Sequence, residues 1–565
     1  MPQLVDRTTI ELGTIKAPPR AQAAAALAIL LAALAVTLPI RGWLSASNPL
    51  ERVNMATVAE MWQTGHWFYP TLNAQPRLAK PPLAAWVSAL ATRRLTITQM
   101  SDADAAIRHA ALLRLLTDVR IPAVIAAALM LIAILDLGVT LGNLRLGILS
   151  ALIAATTLMF LRQAQVASSD VYLALFVTAA NALLARLVLG RATSWTWLAP
   201  GAALGLAIMC KGPVSLVETV LPIGLFLLWH RRQPRPPFAW KKFAAGALVM
   251  LIIGGWWFAL AAARFGHDAL NTWFVEIFRY QTNTWQADPW YHYLVALRLF
   301  LPWLPWLLVG LWNAAFIARN DRRRWLPILL LIVPILILSF FHERRDRYLL
   351  PMLAPAAVIM ARGLIDWMND PKRRGVGGTA LLWLHGSLLM AGAIAVALSL
   401  MHHHRPAPAA MAATAAIFLV AALIQTPRHP RILAPITVIV VIALNALFLP
   451  TQEQGIPQTL ASRMAEIIQE ERLPGDVYVV YPAPTTMYLP AADLSLWLGR
   501  PVRLTRHWPQ GEFPTLAYAE RELEASFPIP QPAAFWTPVG SLQGGAYRCV
   551  LYSRRVSAQP GAARP

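Results

Sequence analysis

The chain has 565 residues, of which 57% are hydrophobic and 14% charged, with a mean hydropathy of +0.50. That composition excludes an ordinary soluble enzyme and a disordered tail, and marks a polytopic membrane protein. The net charge of +21 does not point to nucleic acid, because no basic stripe on a recognisable nucleic-acid-binding fold accompanies it; Lys and Arg crowd the short cytoplasmic loops of membrane proteins.

Residues 1–21 are polar, carry Arg7, Lys16 and Arg20, and read as a cytoplasmic tail. The first apolar span, 22–41, is long and lacks a clear cleavage site, so it reads as an anchor rather than a cleaved signal. Residues 42–93 are too rich in Pro, Asn and Trp for lipid. Within them Val53, Met55, Val58, Met61 and Trp62 recur at mixed helical spacing, which predicts an amphipathic helix at the membrane interface. Pro81 and Pro82 open a second helix, since Pro is tolerated in a first turn. The stretch thus holds an acid (Glu51), a cation (Lys80) and an aromatic run (Trp67, Phe68, Tyr69) at the membrane boundary.

Further apolar spans are expected near 119–138, 143–161, 171–190, 197–210, 213–229, 243–263, 296–317, 325–341, 349–365, 378–400, 408–425 and 431–450, about thirteen in all. With the N-terminus inside, the cytoplasmic loops read HRRQPRPPFAWKK, ARNDRRRW, DWMNDPKRRG and TPRHPR, all basic as the positive-inside rule requires. The same parity places 42–118, 264–295, 342–348, 401–407 and the tail from 451 outside, which points to a bacterial inner membrane facing the periplasm. HERRDRY at 342–348 puts Arg344, Arg345 and Arg347 on the outer side, against the rule. Either the count slips by one span, or these cations bind an anion such as a lipid phosphate.

The tail changes character. TLASRMAEIIQEERL reads as an amphipathic helix, and DVYVVY, PVRLTRH and YRCVLYSR as strands. Residues 451–565 are therefore expected to form a small α/β domain with a disordered end, beside a transmembrane domain at 22–450. Cys210 and Cys549 do not make a disulfide framework.

Several outer loops offer ionisable groups at membrane depth, where charge is costly and usually functional. Asp170 also reads as a helix N-cap after Ser168 and Ser169. Lys211 also reads as a cation at a helix C-terminus before Gly-Pro. Glu51 fits the first turn of a helix, and Glu276 with Arg279 fits an i, i+3 pair.

These motifs in order resemble the bacterial lipid-to-lipid glycosyltransferases related to aminoarabinose transferase and to protein O-mannosyltransferases, the GT-C class. LERVNMATVAEMWQTGHW is similar to the family's DEARYAEIAREMLESGDW. PTLNAQPRLAKPPLAAW, KGPV, FVEIFRYQ, DPWYHYL, LPWLPW and RDRYLLPMLAPA follow. The resemblance implies a polyprenyl-phosphate sugar as donor, and a lipid or envelope glycan as acceptor. A protein acceptor is the alternative within the class. A lipid-linked sugar transporter, or an inactive paralogue that binds carrier lipid, are the alternatives outside it. The resemblance also implies that Glu51 and Asp170 face the reacting centre. Lys80, Lys211, Arg345 and Arg347 would meet the donor phosphate, with Tyr348 orienting the site and Glu276, Arg279, Trp290 and Tyr293 lining it. The chain departs from the family pattern in three places. Leu50 stands where the motif begins with Asp. Ala79 and Ile277 stand where some members carry the Glu and His that help hold a divalent metal, so no cofactor is expected.

Overall fold

The computed structural model describes residues 18–38, 45–189, 197–229, 240–276, 289–341, 344–370, 376–426, 429–449, 455–471, 473, 475–481, 489–509, 514–520, 536–544 and 547–554. Every apolar span expected from the sequence coincides with a helix or with two short helices in succession. Among the described residues, six helices are long and apolar enough to cross a membrane, and a seventh crossing is made if His292–Phe300 and Leu304–Ile317, bent by 109°, count as one. The remaining apolar helices are shorter. The span expected at 143–161 breaks into Leu144–Ala155 and Leu158–Gln163, and that at 213–229 into Val214–Glu218 and Val220–Trp229.

The chain divides into two compact units. One comprises Met1–Ile40, Ala123–Gln165 and Ser169–Gln452; the other comprises Arg41–Pro122, Val166–Ser168 and Glu453–Pro565. The expected tail domain is therefore not a unit by itself. It shares one with the first loop.

In the first unit, helix Leu198–Lys211 packs on Trp240–Phe265 and on Ser169–Val188. Small residues make the first of these contacts close. A Cβ on Gly201 would stand 2.0 Å from the carbonyl oxygen of Gly246, and one on Gly254 3.0 Å from that of Gly205. Lipid gives no hydrophobic drive for helices to associate, so such backbone approach is what holds them. It fixes the axis of the helix that ends at Lys211.

In the second unit, helix Pro49–Thr64 starts at Asn48, whose side chain accepts from the Leu50 N–H (3.0 Å), with Pro49 in the first turn. It ends at Gly65, whose φ of 75° suits a residue without Cβ. Every residue from Glu51 to Met61 is buried. The helix is enclosed by protein on all faces, packing on Leu83–Ala91 and on Leu489–Leu498. An alternation of apolar and polar residues cannot distinguish a face turned to lipid from one turned to a domain far along the chain.

The tail contributes a five-stranded mixed sheet. After a two-residue ribbon in the first loop, β1 (Thr71–Leu72) and β2 (Gln75–Pro76), come β3 (Val477–Val480), β4 (Val502–Thr505), β5 (Thr515–Glu520), β6 (Trp536–Gly544) and β7 (Tyr547–Arg554). Their order is β4-β3-β5-β7-β6. β3 pairs parallel with β4 and β5, while β7 pairs antiparallel with β5 and β6. Helices Leu460–Glu470 and Leu489–Leu498 cover the core, in which Met464, Ile468, Val477, Val479, Leu494 and Leu516 are buried.

The first loop and the tail are joined by specific bonds. Arg52 Nε donates to Asp493 Oδ1 (2.8 Å), and its Nη1 donates to the Ala46 and Ser47 carbonyls (2.8 and 3.2 Å). Gln63 donates to the Gly499 carbonyl (2.8 Å). Glu60 holds the tight turn between β1 and β2. Its carboxylate accepts from the N–H groups of Asn73 (2.7 Å) and Ala74 (3.2 Å), which both have positive φ. Burial raises the Glu60 pKa despite these bonds.

Candidate active site

Helix Ser169–Val188 carries Asp170 in its first turn, where the peptide dipoles favour an anion. Helix Leu198–Lys211 ends at Lys211, where they favour a cation. The two ends meet. Lys211 Nζ donates to Asp170 Oδ1. On the far side of the carboxylate, Arg347 Nε faces Oδ2 at 3.3 Å. Arg347 comes from the short 3-10 helix Asp346–Leu349, which also supplies Tyr348. The Tyr348 ring lies beneath Lys211, with Nζ 4.1 Å from its centroid, and the Arg347 guanidinium carbon is 5.2 Å away. Both distances are those of cation–π contacts.

The side chain of Asp170 is 2% exposed, whereas Lys211 and Arg347 keep 14% and 23% of theirs open. One buried carboxylate is thus bracketed by two partly accessible cations. Asp170, Lys211 and Arg347 by themselves sum to one positive charge. Such a site takes an anion with more than one oxygen.

The outer arginine cluster separates into different roles. Arg344 is buried and donates through Nε and Nη2 to the Ser339 carbonyl (3.1 and 2.7 Å), capping the helix Arg322–Ser339. Arg345 is exposed. Asp346 has its own partners, Arg298 Nη2 at 3.2 Å and His292 Nε2 at 3.0 Å. Of the three arginines expected at the wrong side, Arg347 is the one that faces Asp170 at 3.3 Å.

Glu51 has a different setting, in the other unit. It is fully buried. Arg120 grips it with two bonds, Nε to Oε1 (2.8 Å) and Nη2 to Oε2 (2.7 Å), and the Ala167 N–H donates to Oε1 (2.9 Å). Arg120 lies in helix Ala105–Leu141 and was not singled out by the sequence reading; a charge at the edge of an apolar span is the signal that could have found it. Lys80 lies partly exposed in that same unit, just after the turn that Glu60 holds.

Among the lining residues, Tyr293 is buried and Trp290 is 73% exposed. Glu276 is partly buried at the end of the described segment 240–276. Arg279 and Ile277 lie outside the described residues. Ala79 offers no donor atom to a metal. No group of three or more His, Cys, Asp or Glu that could hold a metal ion occurs among the described residues.

Sequence reasoning also passed over Glu218. It is buried, with Oε2 lacking a hydrogen-bond partner, and its carbonyl accepts from Asn181 (3.4 Å). The signal was an acid inside an apolar span seven residues beyond Lys211.

Residues 79–257 match the family model described as dolichyl-phosphate-mannose-protein mannosyltransferase. An undecaprenyl phosphate-alpha-4-amino-4-deoxy-L-arabinose arabinosyl transferase of Pectobacterium carotovorum is 26% identical over 66% of this chain and 65% of its own length. An uncharacterized protein of Aquifex aeolicus is 26% identical over 61% of this chain and 64% of its own. The chain thus spans a little under two thirds of the length of these relatives. In fold it is similar to the crystal structure of ArnT from Cupriavidus metallidurans bound to undecaprenyl phosphate, with a TM-score of 0.64, 17% identity, and coverage of 94% of this chain and 97% of that one. The chain therefore has the GT-C fold and resembles the membrane glycosyltransferases that share it.

Proposed function

We propose that the chain is a membrane glycosyltransferase of the GT-C fold. It moves a sugar from a polyprenyl-phosphate carrier to a lipid or envelope-glycan acceptor at the periplasmic face of the inner membrane. The observation that carries this reading is the Asp170 carboxylate held between Lys211 and Arg347. The names of the relatives support the donor class.

Each group then has a task. Lys211 supplies a point charge and Arg347 a planar fork to the donor phosphate. As the bond from the anomeric carbon to the phosphate oxygen breaks, that oxygen keeps the electron pair, and negative charge grows on the leaving lipid phosphate. Fixed cations lower the barrier because they are already in place when the charge develops. The acceptor oxygen attacks the anomeric carbon from the opposite side, which inverts it. A hydroxyl acceptor gives its proton to Asp170 as general base. A phosphate acceptor is already ionised and has no proton to give, and Asp170 then serves to space the two cations. Arg345 and Tyr348 remain assigned to the donor phosphate. Glu51, whose oxygens are engaged by Arg120 and Ala167, is assigned to holding its loop rather than to proton transfer. A protein acceptor is the second reading, supported by the description of the matching family model.

The test is transfer by the purified full chain in detergent, with extracted polyprenyl-phosphate sugars and total envelope lipids, read by mass spectrometry. A sugar-sized mass gain on one lipid, lost in Asp170→Asn, is expected. Normal turnover by the variant would remove Asp170 from the chemistry. Saturable carrier binding without any transfer would make the chain a lipid-sugar transporter or a binding protein.

A further inference from the structure

The turn between helices Val376–His402 and Pro406–Gln425 reads HHHR, His402 to Arg405. All four residues are exposed. The His402 and His403 rings touch, with centroids 5.4 Å apart. Otherwise none of the four side chains makes a hydrogen bond or an ion pair among the described residues. They are not needed to close the helix, because the backbone takes its last carbonyls. The His403 N–H donates to Ser399 (3.1 Å), that of His404 to Met401 (3.0 Å) and that of Arg405 to Leu400 (2.9 Å). His404, at a φ of 56°, turns the chain.

No acid is at hand to balance Arg405. The sequence has no Asp or Glu between Asp370 and Glu453. That stretch contains both helices and also Leu433–Phe448, which packs on each of them. On the topology expected from the sequence the turn lies on the outer side, where Lys and Arg are sparse. Nor do three successive histidines make a metal site, since no group of three or more His, Cys, Asp or Glu that could hold a metal occurs among the described residues. Arg405 is thus a fixed charge without a counter-ion, next to imidazoles that donate N–H bonds whether charged or neutral.

A groove of about 280 Å³ runs between the same two helices, and every residue lining it is apolar. Small residues hollow it out, Ala393 and Ala397 on one helix and Ala413 and Ala416 on the other. It extends to Met401, the residue before the HHHR turn. From Ala393 to Met401 is about 12 Å along a helix, close to the roughly 15 Å of one hydrocarbon leaflet. Both turn and groove lie in the first unit. Lipid tails meet every membrane helix, and lipid supplies no hydrophobic drive to choose among them. The groove therefore gives a chain its place, and the charge above it selects the head.

We propose that an anionic phospholipid binds here, with one acyl chain in the groove and its phosphate on Arg405 and the neighbouring imidazoles. The guanidinium fork suits two phosphate oxygens, and an imidazole N–H suits a third. This site does not depend on the transferase reading.

The full chain in dodecyl maltoside is titrated with dioleoyl phosphatidylglycerol or dioleoyl phosphatidylcholine and read by native mass spectrometry. The background is Arg347→Gln, which weakens the other anion site. Phosphatidylglycerol should bind about ten-fold more tightly, the usual effect of a charge-assisted bond. Arg405→Gln should weaken it about five-fold or more, as loss of one cation near a lipid surface does, and leave phosphatidylcholine alone. The side chain is exposed, so this variant should keep the parent melting temperature. Ala397→Leu fills the groove without touching charge and should weaken both lipids. Glycerol 3-phosphate, a head without chains, should not be retained. Equal binding of the two lipids, or unchanged phosphatidylglycerol binding in Arg405→Gln, would overturn the anionic head. Unchanged binding in Ala397→Leu would overturn the groove. A dimer that Ala397→Leu dissolves would give the groove to a second copy of this chain and overturn the lipid.

Discussion

Replacing Arg52 by Gln should extend the pH sensitivity of the second unit above pH 6. Asp493 is 4% exposed, and burial pushes its pKa from 3.8 up to about 6, although Arg52 pulls it down. A carboxyl whose folded value is raised adds stability that is complete below the unfolded value and lost as pH rises through the folded one. In the parent that loss falls between about pH 4 and 7 and amounts to roughly 3 kcal/mol. Removing Arg52 takes away both the charge and the hydrogen bond at 2.8 Å, so the Asp493 pKa should climb further. Stability in Arg52→Gln should then keep falling above pH 6, by about 1.4 kcal/mol per pH unit while one proton is at stake. The assay is unfolding of the full chain in detergent at pH 5, 6, 7 and 8, followed by protease cleavage of the tail. Arg52→Gln should approach the parent at pH 5 and lose most at pH 8. Adding Asp493→Asn should flatten the profile. A variant equally unstable at every pH, or a slope that survives Asp493→Asn, would show that the carboxylate is not the origin.

Other perturbations test the remaining structure. Arg120→Met leaves Glu51 buried and uncompensated and should cost about 3–5 kcal/mol; adding Glu51→Leu should recover much of it, and a double-mutant cycle on unfolding midpoints reads the difference. Gly499→Ala meets two obstacles, a φ of +65° and a Cβ only 1.9 Å from the Met100 carbonyl oxygen. The backbone conformation alone should cost about 1–3 kcal/mol, and an unchanged melting temperature would refute the close approach. Transfer activity should survive a chelator, since Ala79 supplies no ligand; strong inhibition reversed by one metal ion would refute that expectation.

Much of this was legible in the sequence, for physical reasons. Helix positions were readable because lipid demands long apolar runs and short basic loops between them. Asp170, Lys211 and Arg347 stood out because each is a charge where charge is costly; parity put them on one side, but their pairing was not legible. Strands β3, β4 and β7 were readable from β-branched alternation. β5 and β6 were not. TLAYAE is short and rich in Ala, and WTPVGSLQG carries a Pro and an irregular register near Pro538 and Gly540. Nor could the sequence join the first loop to the tail. Arg52 and Asp493 are 441 residues apart, and neither has a local pattern that names the other. Glu51 shows the same limit. An acid in a first turn looks available until Arg120, 69 positions away, is found closing on both its oxygens.

The balance of charge separates the two kinds of ionic site. Glu51 meets Arg120, and Asp493 meets Arg52, one cation to one carboxylate, with side chains at most 9% exposed. Such matched pairs leave nothing for a ligand, and burial costs them nearly what attraction returns. Their value is in fixing one arrangement of loop and tail. Asp170 is matched twice over, and its cations stay partly open. A surplus cation beside a buried acid is not the arrangement that maximises stability, because Lys211 and Arg347 repel each other across the carboxylate. The repulsion is relieved when a second anion arrives. Tight folding would favour losing one of the two cations; recognition of a phosphate requires keeping both. On the transferase reading proposed above, the unmatched site, and not the better-buried Glu51, is therefore where we place the chemistry.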